Sequence, residues 1–338
     1  LNGKLLMENA SSRGMFGINT FGVLHCWSAW MKMKLQRIFA VLVLLGLLLA
    51  ACGPAQPLTL STATPMAATP SATSAPTQTI APAATLTATT AAATTTPTNP
   101  AASAVKLDCQ DQANLMDGPF RAENNTWGKG SLTGWTQCIG LLANDDGSIT
   151  ARWTWDWPIS GGNVKSYPEI IYGQKPGSKT TTTDLPRQVS GLSELQILYD
   201  VTSTHTGGGN LAFDIWLTDS SDPSTWGAPP ITHEIMIWLE SFGSMAPGGN
   251  WKEVVKIDGA PYSVYTAKGW GDGWDYVAFV LTEPQVGAGS INLVSFLSYM
   301  KSKGLITGEE YVASVEFGNE VTGGKGETHL NRLAISVR

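Results

Sequence analysis

Leu211-Ala212-Phe213-Asp214-Ile215-Trp216-Leu217 decides how this chain folds, because its character changes with a period of two. Leu211, Phe213, Ile215 and Leu217 fall on one face of an extended strand, while Asp214 and Trp216 share the other. Moving outward, Glu234-Ile235-Met236-Ile237-Trp238-Leu239 repeats the pattern, with Ile235, Ile237 and Leu239 on one side and Glu234, Met236 and Trp238 on the other. Trp153, Trp155 and Trp157 alternate with Arg152, Thr154 and Asp156, and Tyr276 to Leu281 and Tyr311 to Phe317 read as further strands. Glycines and turn residues punctuate these runs, the signature of an all-β sandwich or barrel. One segment departs from it. Ile291, Leu293, Val294, Phe296, Leu297 and Met300 recur at helical spacing behind a Ser290 cap and ahead of Gly304, which predicts a helix packed on the outer surface of a sheet.

The strand pattern occupies only residues 105–338. Charged residues make up 14% of the chain, against about 25% in an ordinary soluble domain. The deficit is local, since none occurs between Arg37 and Lys106. Met31 to Cys52 reads as an export signal, with Lys32, Lys34 and Arg37 preceding the apolar run Ile38 to Leu49. It ends in Leu49-Ala50-Ala51-Cys52, which resembles a bacterial lipobox and implies that Cys52 is acylated. Residues 1–30 lie upstream of a better start at Met31 or Met33 and are expected to be mis-assigned translation or a removed leader. Residues 53–104 are almost entirely Thr, Ala, Pro and Ser, a composition unable to bury enough apolar surface to order itself, so a disordered linker is expected. The expected location is therefore outside the cytoplasm, lipid-anchored at the cell envelope or extracellular surface.

Beyond position 105 lie 16 basic and 26 acidic residues, a net charge of −10. A module this acidic has no basic stripe to neutralise phosphates, which excludes nucleic acid as a partner, and membrane contact is expected only through the N-terminal anchor. A monomer is expected. Cys109 and Cys138 are the module's cysteines, and in an oxidising compartment a bridge between them would contribute about 3 to 4 kcal/mol; two buried free thiols are the alternative. His205, His233 and His329 lack ligand spacing, so no metal site is assigned, and no phosphate-cradling loop or other cofactor motif occurs.

Of the 13 tryptophans, all but Trp27 and Trp30 fall in this module, more than a core needs. Indole faces stack on pyranose rings, so together they favour a polysaccharide partner, although core packing suits any single one. Cleaving a glycosidic bond needs two carboxyl groups, one protonated and one ionised. Glu234 shares a strand face with Trp238, where an unpaired charge is costly unless it has a task; a strand-edge carboxylate is the plainer explanation. Glu320 is the second candidate, but Glu316 has the same parity, and periodicity alone does not choose between them.

Asn124-Asn125-Thr126-Trp127-Gly128, Gly161-Gly162-Asn163-Val164-Lys165-Ser166-Tyr167, Phe213-Asp214-Ile215-Trp216, Glu234 to Leu239 and Gly318-Asn319-Glu320 occur in an order that resembles glycoside hydrolase family 12, the retaining β-1,4-glucanases. The resemblance covers essentially all of 105–338. It implies a β-jelly roll of two curved antiparallel sheets with a concave substrate cleft, acting on β-glucan without a cofactor. Glu234 would be the nucleophile, Glu320 the general acid and base, and Asp214 the nucleophile's hydrogen-bonding partner. Asn125 and Trp127 would form a sugar subsite, Met236 and Trp238 the floor, and Pro247-Gly248 a bordering loop. Cellulose-like or mixed-linkage glucan is the expected substrate, xyloglucan the closest rival, and a non-catalytic glucan-binding lipoprotein the alternative of another class. Thr322 and Glu169 depart from the family pattern, which bears on contacts near the cleavage point and on one hydrogen bond at the cleft. The retaining mechanism requires the two glutamates about 5 to 5.5 Å apart.

Overall fold

The computed structural model describes residues 102, 104–159 and 162–338. The leader, the export signal, Cys52 and nearly all of the Thr/Ala/Pro linker lie outside the described residues. The strands are β1 (Asn114–Asp117), β2 (Phe120–Asn125), β3 (Thr136–Ala143), β4 (Ile149–Trp157), β5 (Tyr167–Gly173), β6 (Arg187–Gln188), β7 (Leu195–His205), β8 (Gly208–Thr218), β9 (Ile231–Phe242), β10 (Asn250–Ile257), β11 (Ala260–Trp270), β12 (Trp274–Leu281), β13 (Ala288–Asn292), β14 (Tyr311–Gly318) and β15 (Val321–Val337). A helix, α1 (Leu293–Ser302), separates β13 from β14.

The strands form two layers. The larger runs β1-β2-β5-β14-β8-β9-β12-β11-β10, and the smaller runs β3-β4-β15-β7-β13. β15 belongs to both, pairing with β8 at Val321 and Gly323 before crossing to β4 and β7. Among the described residues one pair departs from the antiparallel rule: β12 runs parallel to β9, because the β10-β11-β12 meander starts at the far edge and folds back toward it.

The alternation in β8 and β9 orients the sandwich. Leu211, Phe213, Ile215, Leu217, Ile235, Ile237 and Leu239 all point between the layers. There Phe213 stacks on Phe317 at 4.2 Å, and Trp153 meets Phe317 edge-on at 6.2 Å. Trp153, Trp155 and Trp157 are buried in this core, where each large side chain contributes about 1.5 to 3 kcal/mol by leaving water. Three of the tryptophans that suggested sugar are therefore structural.

The helix begins later than its sequence suggests. Ser290 and Ile291 pair with Leu198 and Ile197 in the sheet, so ladder hydrogen bonds take the residues that would have capped it, and Asn292 becomes the N-cap. Phe296 packs edge-on against Tyr262 and Phe279, on the face of β11 and β12 opposite Tyr265 and Ala278. Cys109 and Cys138 are disulfide-bonded, 29 residues apart, beside the backbone bridge between Asp108 and Ile139. The bond fastens the segment ahead of β1 to β3. Replacing both cysteines by serine is expected to lower unfolding free energy by about 3 kcal/mol, read as a lower denaturant midpoint at unchanged slope; an unaltered midpoint would show that the bond contributes nothing.

Candidate active site

The second face of β8 and β9 does not meet the other layer. It carries Asp214 and Trp216 beside Met236 and Glu234, with Trp216 opposite Glu234 and Asp214 opposite Met236. On the far side of β8, Glu316 of β14 lies opposite Asp214. Glu320 arrives differently. β14 stops at Gly318 and β15 starts at Val321, so Asn319 and Glu320 form the corner between the strands.

That corner is rigid because Asn319 is fully buried and spends its polar groups on three elements. Its Oδ1 accepts from Trp153 Nε1 at 2.8 Å and from Thr328 Oγ1 at 2.8 Å. Its Nδ2 donates to the Asn210 carbonyl at 2.7 Å. The Asn210 side chain then holds the glutamate itself, donating from Nδ2 to Glu320 Oε2 at 2.6 Å and accepting the Glu320 backbone N–H at 3.0 Å.

Glu234 and Glu320 open on one cavity of about 620 Å³, which extends from Asn125 and Trp127 to Trp270 and Trp274. Trp274 Nε1 donates to Glu234 Oε2 at 2.8 Å. Burial raises the Glu234 pKa to about 8; the indole donor opposes the rise and the charge of Glu320 adds to it. Burial likewise raises Glu320 to about 7 against the Asn210 donor. Ionising one carboxyl makes the other harder to ionise, so the pair gives up its two protons in separate steps near and above neutrality, and between those steps it carries a single proton. Asp214 is pushed well above the ordinary carboxyl range by burial and then by the charge of Glu234. Its Oδ1 has no partner among the described residues, so it meets Glu234 as a charge-coupled neighbour, and Trp274 is the fixed hydrogen-bond donor to Glu234.

Other expected residues divide between lining and support. Asn125, Trp127 and Met236 line the cavity, and Trp127 is 64% exposed, an open platform. Trp238 does not line it. The ring is 1% exposed, packed among Ala212, Met236, Tyr276 and Ala278, and its Nε1 donates to Met236 Sδ at 3.4 Å, so it braces Met236 from alongside on the same strand face. The Pro247-Gly248 loop reaches the cavity through Trp270, whose ring would lie 2.6 Å from a Cβ at Gly248. Trp270 and Trp274 flank the tip of the β11–β12 hairpin, closed by the Gly273 N–H on the Trp270 carbonyl at 2.8 Å. Sequence reading missed Trp274, which no local pattern distinguishes from its neighbours. It also missed Asn210, whose strand parity matches Asp214 and would have flagged a polar residue on the cleft face.

A β-sandwich with a carboxyl pair in an aromatic-walled open trough defines a glycoside hydrolase. The sequence pattern described as Glycosyl hydrolase family 12 matches residues 118–338, and the chain belongs to that family. It is similar to Endoglucanase S of Pectobacterium parmentieri, 32% identical over 235 residues that span 68% of this chain and 85% of that protein. It also resembles xyloglucan-specific endo-beta-1,4-glucanase A of Emericella nidulans, 26% identical over 68% of this chain and 90% of that one. In three dimensions it matches a family 12 xyloglucanase from Bacillus licheniformis with a TM-score of 0.61 and 29% identity, over 69% of this chain and all of the other.

The raised carboxyls have a stability consequence with a definite sign. A carboxyl whose folded pKa exceeds its unfolded one adds stability that is complete below the unfolded value and is lost as pH rises through the folded value. For Glu234 that window runs from 4.5 to about 8. The melting temperature of Glu234→Gln relative to the parent is therefore expected to climb steadily across this range, and a pH-independent difference would contradict the raised value.

Proposed function

We propose that the protein is an endo-acting β-1,4-glucan hydrolase that cleaves cellulose-like or mixed-linkage glucan with retention of configuration. The observation that carries this reading is the pair Glu234 and Glu320, delivered by different elements to one cavity and both resisting ionisation. The reactive form is the singly protonated pair with its proton on Glu320, the reverse of the order in the free cleft, where Glu234 holds its proton to the higher pH. In the first step ionised Glu234 attacks the anomeric carbon while Glu320 gives that proton to the departing glycosidic oxygen, forming a covalent glycosyl-enzyme. In the second, Glu320 takes a proton from water, which attacks the same carbon and frees Glu234. Trp274 donates to Glu234 Oε2 throughout, and Asp214 acts on Glu234 through its buried neighbouring charge.

Support for a neutral polymer comes from charge. Glu123, Asp214, Glu234, Asp272, Glu316 and Glu320 line the cavity with Lys175 as the cation among its lining residues, an environment that disfavours uronate-containing chains and suits hydroxyl donors. Xyloglucan is the second reading, favoured by the relatives from Emericella nidulans and Bacillus licheniformis named for it. A purely binding role leaves the two glutamates unexplained. The same reading places a monomeric enzyme outside the cytoplasm, held by acylated Cys52 on its Thr/Ala/Pro tether.

A reducing-sugar assay on neutral hydroxyethyl cellulose, barley glucan and xyloglucan tests the substrate. Glu234→Gln is expected to abolish turnover with folding intact, and substantial residual hydrolysis would refute the nucleophile. Glu320→Gln is expected to lose about 10²- to 10⁴-fold on polymer and far less on an activated aryl glycoside; equal losses would refute the acid. The first product observed by proton NMR is expected to be the β-anomer, and an α-anomer would refute retention.

A further inference from the structure

The cleft contains a charged cluster that this chemistry does not use. Lys175 lies just past β5, where Gly173, at φ +102 and with a Cβ position 2.5 Å from the Ala313 carbonyl oxygen, turns the chain. The Lys175 ammonium meets three carboxylates from three adjacent strands: Glu169 Oε1 of β5 in a short contact, Glu123 Oε2 of β2 at 3.3 Å and Glu316 Oε2 of β14 at 3.7 Å. Glu169 and Glu123 accept hydrogen bonds from the ammonium, and Glu316 adds an ion-pair contact beyond hydrogen-bond distance. Glu123 and Glu169 are direct cross-strand partners, an arrangement of like charges that repels unless a cation stands between them. Burial alone would lower the Lys175 pKa, yet the carboxylates of Glu169, Glu316 and Glu123 overcome it and hold the ammonium charged.

The three carboxylates are not equivalent. Glu169 and Glu316 are 0% and 1% exposed and are committed inward: Glu169 Oε1 also accepts from Asn125 Nδ2 at 2.8 Å, and Glu316 Oε1 accepts from Ser314 Oγ at 2.9 Å. Glu169 Oε2 is buried without a partner among the described residues, and burial followed by the charge of Glu316 raises the Glu169 pKa well above normal. Glu123 is different. Its side chain is 20% exposed and lines the cavity, both of its cation contacts, Lys175 and Arg121 at 3.8 Å, fall on Oε2, and Oε1 has no donor among the described residues. A floor of apolar residues would cost less than four ionisable groups, so stability does not account for the cluster.

We propose that Glu123 is a substrate-binding residue, its free carboxylate oxygen accepting hydroxyl groups of a sugar ring on the Trp127 side of the cleft, with Lys175 and the buried Glu169 and Glu316 fixing it in place. The inference rests on the reading of the cleft as a glucan site and adds a specificity-determining contact to it. β2 lies four strands from β9, about 19 Å along the sheet at the usual strand spacing, so the contact reaches a ring remote from the scissile bond. It therefore serves long substrates and contributes to affinity instead of to the bond-breaking step.

The test compares Glu234→Gln with Glu234→Gln/Glu123→Ala and Glu234→Gln/Glu123→Gln by calorimetric titration with cello- and xyloglucan oligosaccharides of increasing length. Glu123→Ala is expected to erase about 10-fold or more of the affinity gained between the shorter and longer ligands. Glu123→Gln, which keeps a carbonyl acceptor, is expected to recover part of it. Unchanged length dependence would overturn the proposal. So would an affinity loss equal at every length and parallel to a fall in melting temperature, because that marks a structural role. If Glu234→Gln itself bound no oligosaccharide, both this inference and the glucan reading beneath it would fall, whereas binding by the parent with no effect of Glu123 would sink the inference alone.

Discussion

The hydrogen bond from Trp153 to Asn319 is the joint on which the site depends. It crosses from the smaller sheet to the corner between β14 and β15, where Asn319 passes the constraint to Asn210 and Asn210 passes it to the Glu320 carboxyl. A glutamate at a strand corner would otherwise carry the conformational freedom of a loop. Here a residue at the centre of the core dictates its position through fixed-length bonds, and burial makes each of those bonds expensive to leave unmade. Glu234 is held by a different principle. It sits inside β9, paired on both sides, so strand register sets its backbone and the Trp274 indole holds its carboxyl.

Much of this was legible beforehand, for one reason: a strand with a buried face and a functional face writes both in its alternation. Leu211 to Leu217 and Glu234 to Leu239 announced which residues meet the core and which meet the cleft, and the structure divides them that way. Alternation does not encode depth, however. Trp238 has the parity of Met236 yet is closed off from the cavity, since what packs against each residue of one face differs along the strand, and Met245, Tyr265 and Val280 pack against the cluster that holds Trp238. Nor did it distinguish Glu316 from Glu320; the end of β14 at Gly318 does, leaving one glutamate buried in the ladder and the other at a corner.

What remained hidden were partners supplied across the sheet. Trp274 reaches Glu234, and Lys175 reaches Glu123, Glu169 and Glu316, through strand order, which a linear reading does not contain. The helix boundary was misplaced for a related reason. Ser290 has the chemistry of a cap, but its backbone is taken up by β7, and ladder pairing outweighs a local side-chain bond.

The tip of the β11–β12 hairpin carries two duties on a few residues. Trp270 forms part of the trough wall, and Trp274, at the other base of the same turn, donates to Glu234. Gly271 is enclosed by the Trp274 ring, with a Cβ position 2.3 Å from it, so the turn tolerates no added side chain there without displacing that indole. A side chain at position 271 would therefore press on the same indole that donates to Glu234. One turn thus couples the outline of the trough to the setting of Glu234.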